Sequence, residues 1–526
     1  LELPDKRRLA LADRVKKAAD VHLPKLSTWN YNACPKHDRP TPECEFQECG
    51  GDLWATQRTG IAWLYFRMGG ILGDDTGTGK SNIIIGLCAL LKDKGELTHR
   101  AIIVTRNESL SQWHQEFGRF APGLNVIAAV GPRKERLARY RTNFDVCVIG
   151  FQMFIKDIEP LMFLSPFELL AADDVDPLLK LDNVTARAFN RLAKQSSRVI
   201  PINATNIQTH LRQFYATSVS VGGIDLFGTE QAFERRHILT DTVMDLGTNG
   251  RIRRKKVEIG YKNMAEAKRK ADQLIIQRHV EDLHDVNIPS ILPPKTVWLE
   301  PTDRQKAKYD ELREGVLKIM TEEGQRVLHA KAWAKWMYGG QICSSLCALG
   351  EPDGPEASAK LNWLEAMLED QWEDKKVIVF AQFRGTCDAL VKRQQKKGLT
   401  TALVWGTEMD SAKNAAYKDS QVKKFWRDPN CQVLIGTMAM TRSLNLQVSN
   451  IVVNLGSTML NPATVKQLVG RSRRGGSKHS HIVVANVLCK GTQEEHYPEV
   501  LKRRQAIADY MAGEESELFE KLTPFE

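Results

Sequence analysis

Ten short apolar runs recur along the chain, each bounded by polar or turn-forming residues. Five come early: "AIIVT" (101–105), "NVIAAVG" (125–131), "VCVIGF" (146–151), "LLAADD" (169–174) and "VIPINA" (199–204). Five come late: "KVIVFAQF" (376–383), "TTALVWG" (400–406), "QVLIGTM" (432–438), "NIVVNLG" (450–456) and "HIVVANVL" (481–488). Most are apolar throughout rather than alternating, as strands buried on both faces are. Helical patterns separate them, and that alternation predicts parallel sheets with helices on both faces. Two groups of runs predict two α/β lobes.

The stretch between the lobes has a different texture. "GRIRRKKVEIGYKNMAEAKRKADQ" is dense in charge, and its second half has the pattern of an exposed helix. The Pro-rich "IPSILPPK" (288–295) and the turn-rich "LGEPDGPEAS" (349–358) break the chain on either side. The organisation expected is an N-terminal segment (1–50), a first lobe (51–217), a helical insertion region (218–355), a second lobe (356–498) and a C-terminal helix (499–526).

Length and composition narrow the class. At 526 residues the chain is too long for one core. No apolar run approaches the roughly 20 residues that span a bilayer, and the opening residues hold no signal-peptide apolar stretch. The ten cysteines are mostly scattered singly in apolar segments, which favours reduced thiols over a disulfide framework. A cytoplasmic or nuclear protein is expected, not a secreted one. The net charge of +10 is a modest argument for an anionic partner.

The strongest chemical signal is "GGILGDDTGTGKSNIIIGL". A strand-like run ends, a Gly-rich turn follows, and Lys80-Ser81 open an apolar helix. Thr76, Gly77, Thr78 and Gly79 form a loop whose backbone amides close around phosphate oxygens. Lys80 reaches the terminal phosphates of ATP and Ser81 holds Mg²⁺, while the helix N-terminus adds its positive dipole end. Asp74 stands where the strict phosphate-loop pattern has Gly.

With these residues in view the chain resembles the Swi/Snf-type ATPases of helicase superfamily two, from about residue 51 to 495. "LWATQRTGIAWL" resembles the family's approach to the phosphate loop, and the resemblance gives Gln57 the adenine. "NATNIQTHLRQFYA" (203–216) resembles the third motif and supplies Thr205 and Gln208. "GTMAMTRSLNL" (436–446) resembles the fifth, with Asn445. "NPATVKQLVGRSRRGGS" (461–477) resembles the sixth, with Gln467, Arg471 and Arg474 in register. The resemblance implies two RecA-like parallel-sheet lobes with helical insertions, and ATP hydrolysis coupled to movement on double-stranded or branched DNA. Arg471 and Arg474 are then arginine fingers, each such finger being worth roughly 10³–10⁵ in rate. Thr205, Gln208, Asn445 and Gln467 are the coupling and DNA residues.

The acidic box departs from that family. "LAADDVDPLL" has Asp173 for Mg²⁺, but Asp174 stands where Glu orients the attacking water, and Asp176 where the family has His. Asp is one methylene shorter, which retracts the carboxylate by roughly 1 Å, and a misplacement of that size costs about 100-fold. The expectation is a slow or partly uncoupled ATPase, with Asp174→Glu raising turnover on side-chain length alone. Asn206 replaces the Pro of the third motif, and Met459-Leu460 replace a Trp pair.

Two further features stand apart. Cys34, His37, Cys44 and Cys49 have pair spacings suited to tetrahedral Zn²⁺, the alternative being reduced thiols and a surface His on a Pro-rich loop. "RIRRKK" (251–256) is the densest basic cluster, suited to phosphate backbones or simply solvated. Nothing resembles a base-reading motif, and a monomer that tracks duplex DNA is expected. Its rivals are a strand-separating or branch-migrating helicase, and a catalytically weak ATP-gated DNA-binding module.

Overall fold

The computed structural model describes residues 23, 25–34, 49–203, 211–246, 252–278, 280, 288–314, 316–321, 324–329, 332–406, 411–441, 444–456, 462–473 and 477–502. They fall into two compact units, one ending at residue 280 and the other beginning at 288. The division lies inside the stretch read as an insertion region.

The first unit is built on a seven-stranded sheet. Its strands are β1 (Ile71–Leu72), β2 (Ala101–Thr105), β3 (Val126–Ala129), β4 (Val146–Gly150), β5 (Phe167–Asp173) and β6 (Ser196–Ile202), with β9 (Ile275–Ile276) arriving from far along the chain. The order is β3-β4-β2-β5-β6-β1-β9 and every pair is parallel. Both faces are covered, which is why the strands carry apolar residues at consecutive positions. On β2, Ile103 packs into one core with Ile83, Leu87 and Phe117, while Ile102 and Val104 pack into the other with Phe154, Phe167 and Phe189. Helix α1 (Ala55–Arg67) precedes β1, α2 (Lys80–Asp93) follows it, and α3 (Leu110–Phe120) follows β2. α2 is buried along Asn82–Leu91, so the phosphate loop before it is anchored in the core.

Two antiparallel ribbons stand outside the sheets: β7 (Ile238–Leu246) with β8 (Ile252–Tyr261), and β12 (Val316–Thr321) with β13 (Gly324–His329). The charge-rich stretch therefore splits. Its first half is strand β8, and its second half is the helix Met264–Ala271. β-branched residues at alternate positions of "ILTDTV" (238–243) favour the strand form of the partner β7. Helices are present in the same region at Asp303–Glu314 and Ala332–Ser344.

The second unit repeats the first design. Strands β10 (Ser290–Ile291), β14 (Val377–Phe380), β15 (Thr401–Val404), β16 (Val433–Gly436), β17 (Ile451–Asn454) and β18 (His481–Cys489) run in the order β10-β18-β17-β14-β16-β15, and β11 (Lys295–Leu299) also pairs with β18. Every pairing is parallel. Val377 and Val379 enter one core and Ile378 and Phe380 the other. The fold class is α/β with two parallel-sheet lobes, as the sequence implied. Among the described residues no helix is long and apolar enough to cross a membrane, and no disulfide links the cysteines.

One charge pair is sealed inside the second unit. Helix α4 (Ala359–Glu369) is capped by Ser358 and carries Lys360 in its first turn, and Lys360 Nζ donates to Glu494 at 2.8 Å and to the Leu455 carbonyl at 3.0 Å. Both side chains are essentially unexposed. Removing one partner of such a pair strands the other charge and costs about 3–5 kcal/mol, whereas replacing both with apolar residues costs far less. Lys360→Met should therefore lower unfolding stability by about 3–5 kcal/mol. Lys360→Met with Glu494→Leu should regain most of it, as read by chemical denaturation.

Candidate nucleotide-binding site

The phosphate loop joins β1 to α2. Gly77 (φ 92°) and Gly79 (φ 74°) both take left-handed backbone that a Cβ would penalise, so the glycines answer a conformational need. Thr78 is buried and its Oγ1 donates to the Asp75 carbonyl at 2.8 Å, closing the turn. Lys80 Nζ donates to the Asp74 and Asp75 carbonyls at 2.7 and 2.8 Å. The lysine thus lies back over its own loop, satisfied by groups it can exchange for phosphate oxygens. Ser81 follows in the first turn of α2.

Gln57, in the first turn of α1, is fully buried. Its Nε2 donates to the Thr78 and Gly79 carbonyls at 3.3 and 3.4 Å, and its Oε1 accepts from the Trp54 amide at 3.0 Å. The residue that the resemblance assigns to adenine is here a brace between α1 and the loop.

Asp74 explains its own presence. It is 1% exposed and is gripped by Arg278, whose amide and Nε each donate to Oδ1, at 3.0 and 3.1 Å, while Nη2 pairs with Oδ2. The same guanidinium donates to the Thr56 carbonyl at the head of α1. The Arg278 carbonyl accepts from the Asp75 amide at 3.1 Å, and the Gly73 amide donates to Ile276 at 2.8 Å. Arg278 therefore extends β9 alongside the loop and holds its first acid from the side. A side chain at 60 would collide with it, since a Cβ there lies 2.6 Å from Nη2. Sequence reading missed Arg278 because nothing local marks it; "LIIQRH" has the pattern of a short apolar run and no more.

The acidic box ends β5. Ile202 of β6 is in register with both Asp173 of β5 and Leu72 of β1. The box and the root of the phosphate loop thus lie two strand spacings apart, about 10 Å, at the C-terminal edge of the sheet. Ligands of open α/β sheets bind at that edge. Asp173 accepts from Trp113 Nε1 of α3 at 2.9 Å. Burial pushes its carboxyl above the usual range, and the Trp113 bond and the Lys80 charge pull the other way. This carboxylate offers the hard oxygen that Mg²⁺ prefers, and Ser81 in the first turn of α2 carries a second oxygen of that kind.

Asp174 and Asp176 are held differently. Arg106, just past β2, directs Nε at Asp174 Oδ2 and Nη2 at Asp176 Oδ2, the latter at 2.6 Å. Burial works against the Arg106 charge, but the two carboxylates more than offset it and the guanidinium stays protonated. Asp174 has φ 62°, one of three non-glycine residues with positive φ among those described. Left-handed backbone costs a residue with a Cβ about 1–2 kcal/mol.

In the second unit, Asn445 and Arg471 come together through the backbone. The Leu446 amide donates to the Arg471 carbonyl at 3.0 Å, and the Asn445 carbonyl accepts from Trp426 Nε1 at 3.1 Å. Gln467 lies on helix α5 (Pro462–Val469), just before Arg471. Arg473 is buried and donates to the Pro289 carbonyl at 3.0 Å, so one arginine of the "GRSRR" run braces the lobe. Thr205, Asn206, Gln208, Met459, Leu460 and Arg474 lie outside the described residues.

Cys34 and Cys49 are both buried and pack on each other. The Gly50 and Gly51 amides donate to the Asn32 and Asn30 carbonyls, and that pairing brings the two cysteines together. His37 and Cys44 lie outside the described residues. Elsewhere among the described residues, Cys343, Cys489 and Glu494 converge, but Lys360 already supplies the cation there.

A phosphate loop and a strand-end acidic box on one parallel sheet define a P-loop nucleotide-binding domain. Residues 56–346 match the SNF2-related domain and residues 359–476 the helicase conserved C-terminal domain. The chain belongs to the SNF2-related family. Among relatives, it is 22% identical to the ATP-dependent helicase/translocase YwqA of Bacillus subtilis over 90% of this chain and 50% of that protein. It is 24% identical to the mouse chromodomain-helicase-DNA-binding protein 1-like, over 84% of this chain and 48% of that one. The chain spans about half the length of these curated relatives. A solved Sulfolobus solfataricus SWI2/SNF2 ATPase core in complex with dsDNA aligns over 95% of this chain and 99% of that one, at 17% identity and a TM-score of 0.40.

The Arg278 grip predicts a binding phenotype. Charge-assisted hydrogen bonds contribute about 1.5–3 kcal/mol each. Arg278→Ala should therefore weaken binding of a non-hydrolysable ATP analogue by roughly tenfold or more. Arg278→Lys, which lacks the fork, should recover only part. Calorimetric titration reads both.

Proposed function

We propose that this chain is a DNA-stimulated ATPase that moves on or remodels double-stranded DNA, acting as a monomer. What supports the reading best is the placement of Lys80, Ser81 and Asp173 at one sheet edge in a chain that carries both halves of the SNF2 family match. Lys80 and the amides of residues 76–81 hold the phosphates, and Ser81 with Asp173 holds Mg²⁺, which supplies charge neutralisation on the phosphate oxygens. Asp174 orients the attacking water. Arg471 and Arg474 of the second lobe neutralise charge on the transferring phosphoryl group. Gln57 reads adenine by exchanging its loop bonds. Thr205, Gln208, Asn445 and Gln467 couple the nucleotide to DNA. The relatives named helicase or translocase support this assignment.

For the nucleic acid, the basic stretch 252–256 lies on β8 of an antiparallel ribbon. A phosphate-backbone contact there is sequence-independent and weakens with salt. The alternative function with an observation behind it is a weak, ATP-gated DNA-binding module, favoured by the engagement of Asp174 with Arg106.

One assay series decides among these. ATP turnover is measured with no DNA, single strands, duplex and branched DNA. Stimulation by duplex that fades between 50 and 200 mM salt is the expected result, with Lys80→Ala abolishing it. Turnover indifferent to DNA counts against the motor reading. Analogue binding without turnover selects the gated module, and strand separation beside intact translocation selects the helicase.

Zinc at Cys34, His37, Cys44 and Cys49 belongs to the same proposal, supported by the buried Cys34–Cys49 pair. Metal analysis of the purified chain should find one zinc per chain, lost in Cys34→Ser. A value near zero ends the assignment.

A further inference from the structure

The two acids at which the box departs from its family are the two that Arg106 holds. That coincidence makes Arg106, Asp174 and Asp176 one unit rather than three separate substitutions. Arg106 is well placed to act on the box. It directly follows β2, whose neighbour in the sheet is β5, so the chain delivers it next to the strand end that carries the box. Its side chain is only 16% exposed, and Asp174 and Asp176 are 29% and 33% exposed. The ion triad therefore lies partly out of water, where opposite charges hold each other more firmly.

The triad bears directly on hydrolysis. An acid that orients water must offer a carboxylate oxygen as acceptor and carry its negative charge to the reacting centre. Here Asp174 Oδ2 accepts from Arg106, and the adjoining guanidinium neutralises the charge. The left-handed backbone at 174 fixes the direction in which this short side chain leaves the strand end. A longer acid at 174 does not escape the arginine, because the guanidinium spans two neighbouring carboxylates rather than meeting one tip. Side-chain length alone is thus an incomplete account of the box.

We propose that Arg106 is a positioning residue that latches Asp174 to Asp176 and so restrains ATP hydrolysis without affecting ATP binding. This rests on the reading of Asp174 as the water-orienting acid. Lys80, Ser81 and Asp173 lie outside the latch, so nucleotide affinity is left to them.

The test compares the full chain with Arg106→Gln, Asp174→Glu and the double variant. Turnover is measured with and without duplex DNA, affinity with a non-hydrolysable ATP analogue, and folding by thermal melting. Arg106→Gln should raise kcat about tenfold, on the scale by which a 1 Å carboxylate displacement costs roughly 100-fold. KM and analogue affinity should stay within about twofold. The gain from Asp174→Glu should be several-fold larger in the Arg106→Gln background than in the native one. A merely structural arginine would lower melting temperature and turnover together and would not separate kcat from KM. Arg106→Lys keeps the charge but cannot span both carboxylates. It should show a smaller rise, and it decides the matter if Arg106→Gln does not fold. Turnover unchanged or lowered in both Arg106 variants, with native turnover measurable, overturns the latch and leaves the ATPase reading standing. Turnover absent from every variant that still binds the analogue overturns the ATPase reading and the latch with it.

Discussion

A carboxylate withdrawn from water must be given a partner, and this chain's first lobe is organised around that requirement. Four aspartates crowd the C-terminal edge of one parallel sheet: Asp74, Asp173, Asp174 and Asp176. Three separate segments supply their donors. Asp74 takes a guanidinium from beyond β9, Asp173 an indole N–H from α3, and Asp174 and Asp176 share the arginine that follows β2. Negative charge at such density is tolerable only because distant segments deliver donors to it. The second lobe meets the same constraint with Lys360 on Glu494 and with Arg304 and Lys308 on Glu351.

The partners differ in kind, and the difference separates structure from chemistry. Arg278 meets Asp74 through three donor groups and is backed by the β9 ladder, so that acid is fully committed. Asp173 has one firm neutral donor and no guanidinium, and burial raises its pKa. It is the acid left in want of a cation. Lys80 is parked on loop carbonyls, which are weaker partners than a phosphate oxygen.

Much of this was legible in the sequence. All ten apolar runs are strands, because burial on both faces demands apolar residues at consecutive positions and leaves an unmistakable run. The phosphate loop was legible because positive φ demands glycine at 77 and 79. β9 was not legible: two residues, Ile275 and Ile276, gain strand form only by pairing with β1 from about 200 positions away. The ribbon β7–β8 was missed because its second strand carries "RRKK", a composition as suited to an exposed helix. Arg278 and Arg106 were missed for a shared reason. An arginine's role is set by which carboxylate the fold brings to it, and no spacing along the chain records that.

The unusual acids also read differently once their partner is known. Viewed as a sequence, Asp174 and Asp176 are two losses, a shortened acid and a missing imidazole. Viewed in the fold, they are two ligands of one guanidinium, held at the end of the strand that carries Asp173. Replacing either alone leaves a half-paired arginine in a partly buried site, which is the costly state for an ion pair. The altered box is therefore an ion-paired arrangement of its own, in which each changed acid has a defined partner.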